Sequence, residues 1–173
     1  MKSATMPGQN PTALDEHDHV RGNGEHVILE YGDYECPYSR QAYRRIQQLE
    51  GHSGLRFAYR HFPLTDIHPH ALHAAAAAEA TAQQGRFWEM HEWLFHHQKT
   101  LTDDDLRAAA VEIGIDAAQF DRDRVEDSTL LRIERDVRSG IATGQVRGTP
   151  TLFIDGVVYA GGYDAATLSE LIR

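Results

Sequence analysis

The chain has 173 residues, of which 41% are hydrophobic and 25% are charged, and it contains a single cysteine. This composition is typical of a globular chain that can bury a core as one domain, and it excludes a disordered chain. The formal net charge of −9 argues against binding to nucleic acids. A membrane span is not expected either, since no window approaches the run of about 18 apolar residues that one requires.

The first 25 residues are polar and rich in Gly, Pro, Asp and His. We expect a flexible arm over residues 1–25, followed by one domain over residues 26–173. The arm has no apolar segment of the kind that signal peptides carry. Because one cysteine also allows no intramolecular disulfide, we expect the chain to lie in the cytoplasm.

The start of the domain predicts a strand, a helix and a second strand. Residues 27–31 form an apolar, partly β-branched run, and residues 55–60 alternate apolar and polar side chains. Between them, Pro37 suits the first turn of a helix that ends near Glu50. Spacings of four, four and three predict one apolar stripe on this helix, made of Tyr38, Ala42, Ile46 and Leu49.

A helical block is expected over about residues 64–144. It comprises predicted helices at 70–84, 87–98, 116–124 and 129–143, and a further helix that begins at the acidic residues 103–105. One segment carries too many large apolar groups for a single stripe. They are either all buried between helices, or some of them line a groove near the cysteine: Phe87, Trp88, Met90, Trp93, Leu94 and Phe95.

The end of the chain predicts a β-hairpin and a last helix. Residues 151–154 and 157–160 are β-prone and flank Asp155-Gly156, a strong two-residue turn. Asp164 suits the N-cap of a helix that runs to Ile172. The full order predicts an α/β fold with a central mixed sheet, in which the helical block is an insertion because both of its ends return to the same sheet.

The cysteine lies where a thiolate is favoured. Cys36 follows the first predicted strand and directly precedes Pro37, so it begins a helix, beside unpaired backbone N–H groups and the positive end of the helix dipole. We expect it at an exposed end of the helix, as a reactive nucleophile rather than an inert buried thiol. Ser39 stands three residues on, where its hydroxyl and N–H are able to point back at the sulfur.

Several motifs together resemble the thioredoxin-like DsbA family. They are Asp33-Tyr34-Glu35-Cys36-Pro37-Tyr38-Ser39, the segments 59–64, 68–71 and 87–91, and Gly148-Thr149-Pro150-Thr151. The resemblance covers about residues 18–173. It implies a thioredoxin fold with a helical insertion, and thiol–disulfide exchange as the activity.

The resemblance also assigns roles to residues of this chain. It implies that Cys36 is the nucleophile, that Pro150 is a cis-proline beside the site, and that Glu30 is a buried acid that aids proton transfer. Ser39 departs from the family, because it occupies the place of the second, resolving cysteine. A glutamate within an apolar strand is plausibly buried, which would raise its pKa; an edge-strand glutamate that faces water is the alternative.

A single thiol predicts a monothiol mechanism. Cys36 is able to form a mixed disulfide, but serine cannot resolve it, so an external thiol must complete the exchange. We expect protein or small-thiol disulfides as substrates, bound against Pro37, Tyr38, Thr149 and Pro150. No cofactor is expected, apart from a low-molecular-weight thiol such as glutathione as co-substrate.

Three other interpretations remain open. The chain is a glutathione-dependent isomerase or transferase in which Ser39 activates the glutathione thiol, or it is a redox-inactive module that binds peptides. Alternatively, Ser39 replaces a resolving cysteine in order to trap a covalent complex. Neither the oligomeric state nor the thiol partner follows from the sequence.

The eleven histidines suggest a metal site, but we predict none. His91 and His96 are five residues apart and so lie on different helix faces, whereas helical zinc ligands need a spacing of four. The group of His61, His68, His70 and His73 is more simply explained by the start of a helix at His68-Pro69-His70.

Overall fold

Five strands form one mixed sheet in the computed structural model, which describes residues 10–51, 54–162 and 164–170. The strands are β1 (His19–Gly22), β2 (His26–Gly32), β3 (Leu55–His61), β4 (Thr151–Ile154) and β5 (Val157–Tyr159). Their order across the sheet is β1-β3-β2-β4-β5. Only the β2–β3 pair is parallel among these neighbours, which makes β2 and β3 the two ends of a strand–helix–strand crossover.

The helices lie between and after these strands. They are α1 (Pro37–Leu49), α2 (Ala71–Ala82), α3 (Phe87–His96), α4 (Asp103–Ile113), α5 (Ala117–Asp123), α6 (Asp127–Ala142) and α7 (Ala165–Glu170). Helices α2 to α6 form the block inserted between β3 and β4. The predicted α/β class, with a mixed sheet and an inserted helical block, is confirmed; the predicted end of the last helix at Ile172 lies outside the described residues.

Both faces of β2 are buried. Ile28 belongs to a core cluster that includes Phe57 of β3 and Leu94 of α3, so the helical block packs on the sheet. Leu29 and Tyr31 face a second, smaller cluster on the opposite side. Since side chains alternate along a strand, Glu30 points to the same face as Ile28.

The flexible arm predicted over residues 1–25 is wrong at its C-terminal end. Residues 1–9 lie outside the described part, but β1 pairs antiparallel with β3, with His19 opposite Tyr59. The strand was missed because its four residues, His-Val-Arg-Gly, contain one apolar side chain. Upstream of it, a pair between Arg60 and Asp18 at 2.7 Å holds the chain against β3.

Helix α1 buries a different stripe from the predicted one. Its buried residues are Ser39, Ala42, Tyr43, Ile46 and Leu49. Tyr38, by contrast, is 66% exposed. The buried face includes Ser39 rather than Tyr38. Ser39 and Tyr38 are three and four residues before Ala42, and both positions lie on the same side of the helix as Ala42, so the spacing alone does not decide which of them is buried.

The large apolar side chains of α3 follow the first of the two expected alternatives, burial in the core rather than exposure along a groove near the cysteine. Phe87, Met90, Leu94 and Phe95 are buried in the main core, and both tryptophans of the helix pack against that core. They therefore support the sheet rather than line a groove.

No helix among the described residues is long and apolar enough to cross a membrane.

Gly32 ends β2 at a position with no room for a side chain. A Cβ atom there would lie 2.5 Å from a ring carbon of Tyr59, 2.8 Å from the Tyr59 hydroxyl and 2.9 Å from Oε1 of Glu30. We expect Gly32→Ala to lower the free energy of unfolding by about 1–3 kcal/mol, since overpacking a filled core costs that much. Urea denaturation measures this change.

Gly148→Ala is the matched control, because a Cβ at Gly148 meets nothing within 4 Å. The control variant should unfold close to the wild type. Equal stability of the wild type and Gly32→Ala would show that the contact between Gly32 and Tyr59 is not a close one.

Candidate active site

Cys36 is the N-cap residue of α1. Its backbone is extended, with φ −74° and ψ 122°, and Pro37 opens the helix behind it. The Cys36 N–H donates to the carbonyl of Asp33 at 3.1 Å, and the Cys36 carbonyl accepts from Arg40 N–H at 3.2 Å. The sulfur therefore stands at the junction between a short turn and the positive end of a helix, as the sequence predicted.

The exposed position predicted for the cysteine is wrong. Cys36 is only 3% exposed. Its Sγ donates a hydrogen bond to the carbonyl of Thr149 at 3.3 Å, so the loop before β4 covers the thiol. The sequence could not show this contact, because 113 residues separate the two positions.

The covering loop contains the predicted proline. The Thr149–Pro150 peptide bond is cis. Thr149 and Pro150 are half-buried, whereas Pro37 and Tyr38 on the other side of the sulfur are exposed. The four residues predicted to bind substrate thus lie on the two segments that meet at Cys36.

Ser39 does not use its hydroxyl as predicted. The side chain is fully buried, and its Oγ accepts a hydrogen bond from the backbone N–H of Asp33 at 3.2 Å. The hydrogen bond described for Cys36 Sγ goes to Thr149, not to Ser39. Ser39 therefore fixes the turn before the helix.

Asp33 is the first of two residues of this site that the sequence did not predict. Its carboxylate is buried and accepts hydrogen bonds from Glu35 N–H at 2.8 Å and Leu64 N–H at 2.9 Å. Nδ1 of His68 lies 2.7 Å from the same carboxylate. In turns, an aspartate side chain commonly accepts a hydrogen bond from the backbone N–H two residues later. This pattern would have predicted the bond from Glu35 N–H to Asp33.

Gln98 is a second missed residue, and it ties the helical block to the site. It follows α3, and its Nε2 donates to the carbonyl of Tyr34 at 2.7 Å and to that of Cys36 at 2.9 Å. The side-chain amide of Gln98 thus fixes the backbone on both sides of Glu35, the residue before the cysteine. No local pattern in the sequence identifies a contact of this kind.

Glu30 is buried inside the sheet, so the water-facing alternative is wrong. It lies on β2 between Tyr59 of β3 and Leu152 of β4, and it is 0% exposed. Neither carboxylate oxygen has a hydrogen-bond partner among the described residues. Burial raises the pKa of Glu30 to about 8, so the side chain is mostly a neutral acid at pH 7.

Two tyrosines near Glu30, Tyr34 and Tyr59, are also buried polar groups. Burial raises the pKa of both above the usual tyrosine value. The Tyr34 hydroxyl lies 3.0 Å from Nδ1 of His91. Burial lowers the pKa of His91 well below its usual value, so the imidazole is neutral. At pH 7 these three side chains are therefore uncharged.

The histidines that suggested a metal site are spread over different partners. His61 bonds to Glu79 and His68 to Asp33. His73 pairs with Asp103 at 3.3 Å. The backbone N–H of His70 donates to Glu35 at 2.7 Å. Because each histidine has its own acceptor, these four do not converge on one point.

A different trio brings metal-ligating atoms together in the described part of the chain: His19, His61 and Glu79. Both Nε2 atoms lie 2.7 Å from the same Oε1 of Glu79. Hydrogen bonds from the two histidines lower the pKa of Glu79 despite its burial. The two histidines thus compensate the buried charge of Glu79.

Glu30 should make stability depend on pH. A pKa of about 8, against the ordinary value of 4.5, means that the folded chain keeps a proton that the unfolded chain releases. This contribution to stability is complete below about pH 4.5 and is lost as pH rises to about 8, by up to about 1.4 kcal/mol per pH unit. Urea denaturation across this window should show Glu30→Gln gaining stability relative to the wild type as pH rises.

Glu25→Gln is the matched control, since Glu25 is exposed one residue before β2. That variant should follow the pH dependence of the wild type. A constant difference in stability between Glu30→Gln and the wild type from pH 5 to pH 8 would contradict the raised pKa.

Comparison with known proteins agrees with this geometry. A family model described as Thioredoxin matches residues 15–173. A crystal structure of a thioredoxin-like oxidoreductase from Silicibacter pomeroyi has a TM-score of 0.81 and 27% identity, and the match covers 91% of each chain. The thiol-disulfide exchange protein α-DsbA2 from Wolbachia pipientis has a TM-score of 0.80 over 91% of this chain and 87% of that chain. At 21% identity, this second likeness shows the fold alone.

Curated relatives are similar over most of this chain but are much longer. A protein named Na(+)/H(+) antiporter NhaA 1 from Mycolicibacterium vanbaalenii is 43% identical over 163 residues, which is 91% of this chain and 26% of that protein. A protein named Na(+)/H(+) antiporter NhaA from Herminiimonas arsenicoxydans is 36% identical over 99% of this chain and 28% of its own length. The chain spans about a quarter of the length of these relatives. The match to the family model over residues 15–173 identifies the chain as a member of the thioredoxin family.

Proposed function

We propose that the chain catalyses thiol–disulfide exchange through Cys36 as its single nucleophile. The observation that carries this proposal is the position of the Cys36 sulfur, at the N-terminus of α1 and 3.3 Å from the carbonyl of Thr149, next to Pro150. Structural neighbours with this architecture include a thioredoxin-like oxidoreductase and a thiol-disulfide exchange protein.

The exchange proceeds in two balanced steps. The thiolate of Cys36 attacks one sulfur of a substrate disulfide, whose S–S bond breaks, and the other sulfur leaves as a thiolate. The product is a mixed disulfide between Cys36 and the substrate. An external thiolate then attacks the substrate sulfur; the disulfide bond to Cys36 breaks, Cys36 leaves as a thiolate, and the substrate is left in a new disulfide with the external thiol. The external thiol is needed because the hydroxyl of Ser39 cannot resolve the mixed disulfide by attacking the Cys36 sulfur.

Glu30 supports proton transfer in this scheme. A buried acid with a pKa of about 8 exchanges its proton near neutral pH, where a general acid or base is most effective. We propose that it supplies a proton to the leaving thiolate and accepts one when the Cys36 thiol ionises.

The surface around the sulfur suits an extended substrate. Pro37 and Tyr38 are exposed on one side, and Thr149 and Pro150 are half-buried on the other. We propose that these four residues contact the segment that carries the substrate sulfur, which is either a protein or a small thiol. The external thiol, with glutathione as the example, is most available in a reducing compartment, so we propose a cytoplasmic location.

Of the alternatives, activation of glutathione by Ser39 is disfavoured. An activating hydroxyl must reach a bound thiol, whereas Ser39 is fully buried and its Oγ is bonded to Asp33. A redox-inactive peptide-binding module remains the competing function, and the experiment below separates it from exchange.

Incubation with oxidised glutathione tests the proposal. We expect the intact mass to increase by one glutathionyl group per chain, and the increase to be reversed by an added thiol, because Cys36 exchanges with the small disulfide. The Cys36→Ser variant, which is the matched control, should show no increase.

Failure of the folded wild type to take up the group within hours would contradict the proposed exchange. That result would favour the peptide-binding module instead.

A further inference from the structure

The outer face of α1 has a charge opposite to that of the chain. The whole sequence has 17 basic and 26 acidic residues, for a formal net charge of −9. Helix α1, in contrast, contains three arginines and no acidic residue in its 13 positions. These arginines, Arg40, Arg44 and Arg45, are called the arginine face below.

The arginine face lies in an open, shallow cavity of about 620 Å³ on the exposed surface of α1, which begins at Pro37, the residue after the cysteine. All of its lining residues belong to α1, and they are Pro37, Tyr38, Arg40, Gln41, Arg44, Arg45 and Gln48. From the first to the last of them, the helix rises by roughly 16 Å at 1.5 Å per residue. The cavity therefore runs along the helix away from the thiol.

The charges of this face are largely unused within the described structure. Most arginines elsewhere have acidic partners, such as Arg60 with Asp18 and Arg138 with Glu134. Neither Arg40 nor Arg44 forms an ion pair with a described residue, and Nε of Arg40 is buried with no hydrogen-bond partner there.

Arg45 is the exception on the arginine face. It lies close enough to Asp164 to contribute to the lowered pKa of that carboxyl group. Arg40 and Arg44 are therefore the two charges that a ligand would find unpaired.

Helix stability does not explain the arginines either. Arg40 is the fourth residue of α1, near the positive end of the helix dipole, where a cation is unfavourable. The last turn, where cations are favourable, contains no basic residue. Arg44 and Arg45, the eighth and ninth of the 13 residues, lie before that last turn, so the helix dipole explains none of the three charges.

We propose that the arginine face binds an acidic polypeptide segment next to the cysteine of a protein substrate. This inference rests on the proposed exchange at Cys36 and names its substrate class. Arginine binds carboxylates with paired, directional hydrogen bonds, so Arg40 and Arg44 would each hold one acidic side chain while the substrate sulfur reaches Cys36.

The length of the cavity favours a peptide over a small thiol. About five extended residues span roughly 16 Å at 3.3 Å per residue. The negative charge on the rest of the chain does not prevent this contact, because charges beyond about 8 Å are largely screened at physiological salt. The exposed face of α1 is therefore long enough for a short acidic segment.

Chromogenic peptide disulfides test the proposal. Three peptides carry one cysteine as its mixed disulfide with thionitrobenzoate, and four flanking residues are Glu, Gln or Lys. Attack by Cys36 on the peptide sulfur releases coloured thionitrobenzoate, and the second-order rate constant is measured at physiological salt, about 0.15 M, and at about 1 M salt. We expect the Glu peptide to react about fivefold faster than the Gln peptide at physiological salt, the Lys peptide to be slowest, and the ratios to approach one at the higher salt concentration.

The double variant Arg40→Gln/Arg44→Gln isolates the face. Glutamine keeps good helix propensity, and circular dichroism checks that the variant is folded. We expect the ratio of the Glu rate to the Gln rate to fall towards one. Arg122→Gln is the matched control, because Arg122 is exposed on α5 and outside this cavity, and it should keep the ratio of the wild type.

The outcomes separate this inference from the proposed function. No release of thionitrobenzoate from any peptide would contradict exchange itself. Exchange at equal rates with the Glu and Gln peptides, or a ratio that survives in the double variant, would overturn the acidic substrate alone. Loss of only the reaction with oxidised glutathione in the double variant would also overturn the acidic substrate, since the arginine face would then bind a small anionic thiol.

Discussion

The active site depends on one buried carboxylate, that of Asp33. A charge removed from water must be compensated by hydrogen bonds, and Asp33 receives them from Glu35, Leu64 and His68. Its backbone carbonyl also accepts from the N–H of Cys36. Through these bonds, the end of β2, the start of α1 and the segment after β3 are held together, and the direction of the sulfur follows.

Ser39 takes part in the same arrangement. Its Oγ accepts from the N–H of Asp33, which adds a bond from the first turn of α1 back to the end of β2. A position at which the related enzymes are expected to carry a second thiol is thus occupied by a group that stabilises the turn. Since Cys36 is the single cysteine of the sequence, the exchange proposed above needs an external thiol to resolve its product.

The sequence predicts most of the fold because strong local signals mark its elements. The hairpin at Asp155-Gly156 and the helix start at Pro37 depend on residues within a few positions of each other, and both lie where they were expected. Strand β1 was missed because an edge strand with one apolar residue has no such signal. The exposure of Tyr38 was misjudged because a spacing of four alone does not fix which residues of a helix face the core.

The site was predictable only in part, for the same physical reason. Cys36 and its helix position follow from the local sequence. The Thr149 carbonyl over the sulfur and the Gln98 amide across Tyr34 and Cys36 are contacts between distant segments, and only the folded chain shows them. The burial of Glu30 was predictable only in part. The apolar strand around Glu30 suggests burial, but the burial results from the central position of β2 in the sheet, which the folded chain shows.

Release of a purified mixed disulfide tests most directly whether the site works with a single thiol. A peptide with a single cysteine, joined to Cys36 by that disulfide, is followed while the concentration of an external thiol is varied. If Cys36 works alone, the release rate of the wild type is proportional to thiol concentration and extrapolates to zero without thiol, whereas Ser39→Cys releases the peptide without any added thiol. A substantial release rate of the wild type at zero thiol would contradict a mechanism with a single thiol.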